Sequence, residues 1–243
     1  MNLHTTVKAV ILAGGLGTRL QPYTFFIPKP MLPLGNKPLL EYLIEWLNKS
    51  KKIDQIVICV SYLHRSIEDY FEDGSRFGIE IKYSRSDRPL ATAGQLKTAS
   101  NLLDDTFVCL YGDSVYEFPL SKMIDNHIKD NAFISMALTK YKTNLKYGFI
   151  ELDKSEKTLV SDWKEKPEVA GLINIGCYVF EPEFLKNIPH SISYGMDEAV
   201  RNCIREKKKV KSYIVNDGSF IDIGDKKSYL EAYKQYVKRL GKI

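Results

Sequence analysis

The sequence predicts an α/β fold in which an open, mostly parallel sheet is flanked by helices. Short apolar runs alternate with helical patterns through the first half of the chain, as in parallel strands joined by helical crossovers. The first apolar run, Val7–Leu12, ends in a glycine-rich turn, and a later run, Phe107–Tyr111, ends in Gly112 and Asp113. Ligands of such sheets lie beyond the carboxyl ends of the strands. We therefore expect the functional site where these two runs end.

Each strand is predicted from a short apolar run bounded by polar or turn residues. In chain order the predicted strands are Val7–Leu12, Gln55–Ser61, Ile79–Tyr83, Thr106–Tyr111, Ala132–Thr139 and Lys211–Val215. Between residues 132 and 180 the pattern changes to strands with short turns, including Tyr147–Leu152 and Gly171–Phe180. We interpret this segment as a β-rich insertion that covers the sheet edge, within one domain.

The helices are predicted from apolar residues that recur on one face. They are Pro38–Lys49, Ser66–Phe71, Gly94–Leu103 and Lys226–Val237. Pro38 suits a first helical position, and the residues that then share a face are Leu39, Leu40, Leu43, Trp46 and Leu47. In the last helix, one side carries a stripe of tyrosines with two aliphatic residues and is expected to pack on the core: Tyr229, Leu230, Tyr233, Tyr236 and Val237.

Composition indicates an ordinary globular protein. With 243 residues, 44% hydrophobic and 27% charged, the chain can bury one large core. A net charge of +5 suits a small anionic substrate and does not by itself indicate nucleic acid. Cys59, Cys109 and Cys177 lie in apolar runs without C-x-x-C spacing, which favours buried thiols in a reducing compartment. No leader pattern is visible and no apolar stretch approaches about 18 residues, so we expect a cytoplasmic protein without a membrane partner.

The turn after the first strand is typical of a phosphate-binding loop. It contains Gly14, Gly15, Gly17, Thr18 and Arg19, and Lys29 follows between two prolines. Glycines let the backbone approach a ligand and point bare N–H groups at it. Arg19 and Lys29 add positive charge where a polyphosphate could lie. The spacing fits neither a P-loop nor a dinucleotide fingerprint, and an ordinary strand-to-helix turn is the alternative.

Two isolated carboxylates follow apolar residues and stand next to glycine. Asp113 follows Gly112, and Asp222 stands in the segment Phe220–Gly224. Each alone is more typical of a turn or a helix cap. Together with the glycine-rich turn they favour a hard oxygen site for Mg²⁺, which binds through one or two carboxylates and substrate phosphates.

Two further segments carry polar residues in unusual places. Lys164-Glu165-Lys166-Pro167 alone is typical of a solvated turn, but Asn174 then interrupts an apolar strand, where its amide needs a partner or a ligand. The histidines belong to none of these motifs, so a histidine general base is not expected: His4, His64, His127 and His190.

The segment Gly14–Arg19, followed by Pro28-Lys29-Pro30, resembles the signature of the sugar-1-phosphate nucleotidyltransferases, also called nucleoside-diphosphate-sugar pyrophosphorylases. The resemblance covers the chain from Val7 to the last helix, with the motifs in the family's order, and implies a Rossmann-like sheet with a sugar-binding insertion. It implies a reaction of a nucleoside triphosphate with a sugar 1-phosphate, and no nucleic-acid partner. The residues that it assigns to the nucleotide are Leu12, Ala13, Gly14, Gly15, Gly17, Thr18, Arg19, Lys29, Ala91, Thr92 and Gly94.

The same resemblance assigns the remaining roles. The sugar-phosphate residues are Tyr147, Gly148, Glu165, Lys166 and Asn174. Asp113 and Asp222 match the family's paired metal-binding aspartates, with Mg²⁺ as the implied cofactor. The implied catalytic residues are Arg19, Lys29, Asp113 and Lys166. We expect one domain over residues 1–243, in which about 1–131 bind nucleotide and about 132–243 bind sugar phosphate and supply the closing helices.

The segment Pro89–Gly94 resembles the Pro-Leu-Gly-Thr-Ala-Gly loop of guanylyltransferases acting on mannose 1-phosphate, with Ala91 replacing the first glycine. If that position has a positive φ angle, alanine there costs energy. The loop favours GTP with mannose 1-phosphate over UTP or dTTP with glucose 1-phosphate. Glu165-Lys166-Pro167 argues against a phosphocholine-type cytidylyltransferase, while a non-catalytic regulatory homologue stays an alternative. The sequence shows no C-terminal hexapeptide repeat, so we expect the short form of the family, and leave an oligomer open.

Overall fold

The computed structural model describes residues 6–239 and residue 241. Its strands are β1 (Val7–Leu12), β2 (Pro33–Leu34), β3 (Lys37–Pro38), β4 (Ile53–Val60), β5 (Glu80–Arg85), β6 (Phe107–Tyr111), β7 (Ser114–Tyr116), β8 (Ile134–Asn144), β9 (Phe149–Leu152), β10 (Val160–Lys164), β11 (Glu168–Phe180), β12 (Val210–Ile214) and β13 (Phe220–Asp222). Its α-helices are α1 (Leu39–Lys49), α2 (His64–Phe71), α3 (Ala91–Thr98), α4 (Leu120–Lys129), α5 (Met196–Arg205) and α6 (Lys226–Arg239).

A seven-stranded sheet in the order β12-β8-β11-β6-β1-β4-β5 forms the centre of the fold. β11 runs antiparallel to both neighbours, while the other adjacent pairs are parallel. In the register of the sheet, Leu12 lies between Cys59 on β4 and Tyr111 on β6. The predicted α/β class with an open, mostly parallel sheet is therefore confirmed.

Helices cover both faces of the sheet because its strands are apolar on both sides. Ala9 and Ile11 of β1 belong to the core that includes α1, α2 and α4, whereas Val10 and Leu12 belong to the core that includes α3 and α5. The alternation follows from the two-residue period of a strand. The thiols of the four cysteines are free and buried, as expected for those in apolar runs. Within the described residues no helix has the length and apolar content needed to cross a membrane.

The expectation that residues 132–180 cover the sheet edge is wrong. β8 and β11 are integral strands of the sheet, and β11 inserts between β6 and β8. The physical reason is that the apolar segments Ile134–Ala137 and Ile175–Phe180 are mostly buried and need neighbours on both sides. Only β9 and β10 stand apart, as an antiparallel hairpin whose residues are exposed.

Several predicted boundaries are also wrong. α3 begins at Ala91, ends at Thr98 and is followed by a 3₁₀ turn over Ser100–Leu102. Pro38 lies at the end of β3, in extended backbone just before α1. On α6, Leu230 and Tyr233 are exposed, because the buried face instead comprises Tyr229, Ala232, Tyr236 and Val237.

Candidate active site

A cleft of about 680 Å³ lies at the carboxyl ends of β1 and β6. Among the predicted site residues, those that line it are Leu12, Ala13, Gly15, Arg19, Lys29, Thr92, Asp113, Asn174 and Asp222. Those outside its lining are Gly14, Gly17, Thr18, Ala91, Gly94, Tyr147, Gly148, Glu165 and Lys166. The topology therefore brings together Asp113, Asp222, Arg19 and Lys29, along with part of the glycine-rich turn.

The shape of the glycine-rich turn depends on Gly17 and its contact with Thr24. Gly17 has a φ angle of 62°, and a Cβ atom there would lie 2.8 Å from Thr24 Cγ2. Thr24 Oγ1 donates a hydrogen bond to the carbonyl oxygen of Gly17 and fixes the turn. By contrast, a Cβ atom on Gly15 would have no neighbour within 4 Å, and the residue is exposed, so its backbone is open to a ligand.

Lys29 and Asp113 form a close ion pair in the cleft. Lys29 Nζ donates to Asp113 Oδ2 over 2.6 Å, and the lysine side chain is only 9% exposed. Pro28 and Pro30 hold Lys29 in a 3₁₀ turn that starts at this residue. Asp113 is placed by Gly112, whose N–H donates to the carbonyl oxygen of Leu12 over 3.0 Å. The cation and the carboxylate are thus held by two separate loops at one point.

Asp222 approaches the same point from a second direction. β13 pairs with β7, so Asp222 lies opposite Ser114, and the N–H of Ile223 donates to the carbonyl oxygen of Asp113. Burial raises the pKa of Asp222, and the negative charge of Asp113 raises this pKa further, while Lys29 and Arg19 oppose the shift. Two carboxylates that repel one another in a partly buried place suit a divalent cation.

The donor set at this point fits Mg²⁺. Asp113 and Asp222 offer carboxylate oxygens, the hard ligands that Mg²⁺ prefers. In the described part of the chain, no group of three or more histidine, cysteine, aspartate or glutamate side chains could hold a metal. Mg²⁺ commonly takes one or two carboxylates and completes its shell with water and substrate phosphates. A nucleotide-dependent magnesium site is therefore compatible with these two residues.

The opposite wall of the cleft comes from the irregular part of β11. The register between β11 and β8 shifts between Asn174 and Tyr178, and Gly176 has a φ angle of 71°. A Cβ atom on Gly176 would lie 2.4 Å from Tyr111 Cδ2, so only glycine fits. The Asn174 amide donates to Tyr178 Oη over 2.5 Å and accepts from the N–H of Gly176 over 3.1 Å. The bulge therefore holds the Asn174 side chain at the cleft.

The first turn of α3 reaches the cleft through Thr92. Ala91 has a φ angle of 53°, so the position does adopt the left-handed conformation that favours glycine. Thr92 Oγ1 accepts the N–H of Met196 over 2.9 Å. Gly94 is needed for packing, because a Cβ atom there would lie 2.8 Å from the carbonyl oxygen of Ile192.

The other predicted sugar-phosphate residues lie on and beside the β9–β10 hairpin. Tyr147 is 80% exposed. Gly148 allows close approach, since a Cβ there would lie 2.7 Å from Trp163 Nε1, which donates to Glu165 Oε2 over 3.1 Å. Lys166 Nζ lies 4.0 Å from Glu165 Oε1, and both side chains are exposed. None of these predicted residues lines the cleft.

Other cleft residues were missed by the sequence analysis. They include Gln95, Thr139, Lys140, Tyr141, Asp217 and Gly218. Gln95 stands beside Leu96 in the predicted helix, and nothing in that local pattern indicates its contact with the glycine-rich turn. Lys140 could not be assigned to the cleft from the sequence, because its position depends on the length of β8. This strand extends five residues beyond the predicted end at Thr139.

Comparison with known proteins places this chain in a family. Residues 8–239 match the family model described as nucleotidyl transferase, so the chain belongs to that family. The resemblance inferred from the sequence is thereby confirmed.

Individual relatives show which reactions occur among similar proteins. A UTP–glucose-1-phosphate uridylyltransferase of Synechocystis sp. is 35% identical over 96% of this chain, which spans 64% of that relative's length. A D-glycero-alpha-D-manno-heptose 1-phosphate guanylyltransferase of Campylobacter jejuni is 35% identical over 92% of this chain and 97% of its own length. The crystal structure of HddC from Yersinia pseudotuberculosis, complexed with GMP-PN, superposes with a TM-score of 0.73 at 25% identity, covering 95% of this chain and 100% of that one.

Proposed function

We propose that this protein joins a nucleoside triphosphate to a sugar 1-phosphate and releases pyrophosphate. The observation that carries the proposal is the convergence of Arg19, Lys29, Asp113 and Asp222 at one end of a cleft that begins at a glycine-rich turn. A sugar phosphate oxygen attacks the α-phosphorus of the triphosphate, a new P–O bond forms, and the bond to the β-phosphate oxygen breaks. The products are a nucleoside-diphosphate sugar and pyrophosphate.

No side-chain nucleophile or general base is required for this reaction. The attacking phosphate oxygen is already anionic at neutral pH, and none of the histidines in the described part of the chain lines the cleft. The protein must instead bring two polyanions together and compensate their charge. Arg19 and Lys29 supply positive charge in the cleft, and Asp113 and Asp222 would hold Mg²⁺, which supplies further electrostatic stabilisation when bound.

The same residues argue against a non-catalytic homologue. A binding module has no need to keep a buried lysine beside two carboxylates, since this arrangement costs desolvation energy. Lys29 and Asp113 nevertheless form their ion pair at 2.6 Å, and Asp222 is held beside Asp113 by β13. This arrangement supports a metal-dependent reaction at this end of the cleft.

For the substrates, we propose GTP and a sugar 1-phosphate of manno configuration. The Pro89–Gly94 loop resembles that of guanylyltransferases, and the Campylobacter jejuni relative, whose full length is nearly covered, is a guanylyltransferase named for a manno-heptose 1-phosphate. Mannose 1-phosphate remains the substrate that the loop resemblance favours. UTP or dTTP with glucose 1-phosphate is the second candidate, because the uridylyltransferase of Synechocystis sp. is equally identical to this chain.

A pyrophosphate-release assay tests both the proposed reaction and the proposed substrates. GTP, UTP, dTTP and ATP are each combined with mannose 1-phosphate, D-glycero-alpha-D-manno-heptose 1-phosphate or glucose 1-phosphate in the presence of Mg²⁺. We expect the highest kcat/KM for GTP with one of the two manno-configured sugars. Release confined to UTP or dTTP with glucose 1-phosphate would establish the second candidate, and no release with any pair would refute the proposed reaction.

A further inference from the structure

The side chain of Gln95 occupies an unusual position between the glycine-rich turn and α3. It is 8% exposed and lines the cleft together with Leu12, Ala13 and Thr92. Its Oε1 accepts the backbone N–H of Gly14 over 3.1 Å. The amide is packed closely there, because a Cβ atom on Gly14 would lie 3.1 Å from Gln95 Cδ.

The Gly14 contact determines which way the Gln95 amide points. A backbone N–H can only donate, so it must face the carbonyl oxygen of the amide, and the NH₂ group must then face the other way. Gln95 Nε2 has no hydrogen-bond partner among the described residues, and this nitrogen atom is not fully buried. It is therefore a fixed donor, with two N–H groups, that is accessible from the cleft.

The surroundings of Gln95 suit a nucleobase better than a phosphate. Of the six charged residues in the described part of the chain that line the cleft, four lie together around the end of the glycine-rich turn, namely Arg19, Lys29, Asp113 and Asp222. The other two are Lys140 on β8 and Asp217, which precedes β13. The residues beside Gln95 are neutral, and Leu12 and Ala13 are buried apolar residues. A nucleoside triphosphate that places its phosphates among the charges has its base at the neutral end.

We propose that Gln95 selects the base of the nucleotide, by donating from Nε2 to a carbonyl oxygen on the base edge. The inference rests on the proposed function. Guanine, uracil and thymine each carry such an oxygen, whereas adenine and cytosine carry an amino group at the matching position of the ring. Two donors facing each other cannot form a hydrogen bond, so Gln95 disfavours ATP and CTP.

Two substitutions separate this selection from a structural role. Gln95→Glu keeps an oxygen that can accept the N–H of Gly14 but presents an acceptor to the cleft in place of a donor. Gln95→Met preserves the length of the side chain and removes both polar groups. Gln55→Met is the matched control, because Gln55 is equally buried at 8% but donates to Glu80 on the neighbouring strand, outside the cleft.

Calorimetry in a magnesium-containing buffer measures the equilibrium dissociation constants of GTP, inosine 5′-triphosphate and ATP. The unfolding midpoint of each variant is measured as well, to show that the variant is folded. The unsubstituted protein should bind GTP and inosine triphosphate, which share the six-position oxygen, more tightly than ATP. Gln95→Glu should reduce the preference for GTP over ATP about tenfold or more. Its added negative charge acts on both triphosphates, so the ratio isolates the contact with the base.

The other outcomes are equally decisive. Gln95→Met should also reduce this preference, while Gln55→Met should leave it unchanged. An unchanged GTP-to-ATP ratio in Gln95→Glu, with GTP still bound, would refute base selection by Gln95 and leave the proposed function standing. If the unsubstituted protein bound none of these triphosphates, nor UTP and CTP, both the proposed function and the role of Gln95 would be refuted.

Discussion

Replacing Ala91 by glycine should make the protein more stable, although the change removes a methyl group. Ala91 begins α3 with a φ angle of 53°, in the left-handed region. Its side chain is exposed, so no buried contact is lost with the methyl group. The substitution therefore isolates the backbone strain at this position.

The expected magnitude follows from two opposing contributions. A left-handed conformation costs a residue with a Cβ atom about 1–2 kcal/mol, which glycine avoids. Glycine loses about 0.5–1 kcal/mol more backbone entropy on folding than alanine does. The difference leaves a net stabilisation of roughly 0–1.5 kcal/mol, and its midpoint of about 0.75 kcal/mol corresponds to a rise in the unfolding midpoint of about 1.5–3 °C for a chain of this length.

Thermal and urea unfolding of Ala91→Gly measure this effect, with Ala93→Gly as the matched control. Ala93 lies in the same helix, is fully buried and does not have a positive φ angle. Its replacement should destabilise the protein by about 1 kcal/mol or more. A lower unfolding midpoint for Ala91→Gly would refute the argument from strain.

The same variant also tests whether the loop contacts the base. We expect Ala91→Gly to change the relative kcat/KM of GTP, UTP and dTTP more than it changes the preference among sugars. Identical nucleotide ratios in the two proteins would show that this loop does not discriminate among bases.

Three further predictions concern the charges. Asp113→Asn should reduce turnover by about 10²-fold or more, and EDTA should abolish turnover until Mg²⁺ is restored; an undiminished rate in the variant would remove Asp113 from the site. Lys29→Ala should mainly impair use of the nucleoside triphosphate, and Lys166→Ala use of the sugar phosphate; a raised KM for the same substrate in both variants would contradict this division. Burial lowers the pKa of His127 below 6.5, despite a hydrogen bond to Glu181. Below about pH 6.5 the unfolded state therefore binds more protons than the folded state does. The free energy of unfolding then falls as the pH decreases, by at most about 1.4 kcal/mol per pH unit. Urea unfolding between pH 7.5 and 5 (about the range over which histidine titrates) should show a smaller loss in His127→Asn, and equal losses would show that another group is responsible.

Sequence patterns predicted the parallel strands because each is a short apolar run that ends in polar or turn residues. β1 and β6 were located from this pattern, and with them the glycine-rich turn and Asp113. α5 was not predicted, although its apolar residues recur at helical spacing and are buried: Met196, Ala199, Val200 and Cys203. Their helical spacing means that α5 was predictable from the sequence.

Other features could not be predicted from local pattern. The pairing of β13 with β7, which brings Asp222 beside Asp113, joins residues more than a hundred positions apart in three-residue strands too short to be recognised. The place of β11 between β6 and β8 likewise depends on long-range pairing. The place of Gln95 in the cleft could not be predicted either, because it depends on the contact of its amide with Gly14, 81 positions away in the sequence.

The cleft at the ends of β1 and β6 is well supported by the core, whereas the motif that the resemblance assigns to the sugar phosphate is exposed, and this difference has a structural cause. β1 and β6 are neighbouring inner strands covered by helices on both faces, so Leu12 and Gly112 at their ends are anchored to the core. The β9–β10 hairpin pairs only with itself, and its register places Ile150 opposite Trp163 and Leu152 opposite Val160, so that exposed apolar side chains share one face. A two-stranded hairpin is at best marginally stable on its own in water. The motif that the resemblance assigns to the sugar phosphate thus lies beside an exposed hairpin, where local opening costs less free energy than it does in the buried sheet.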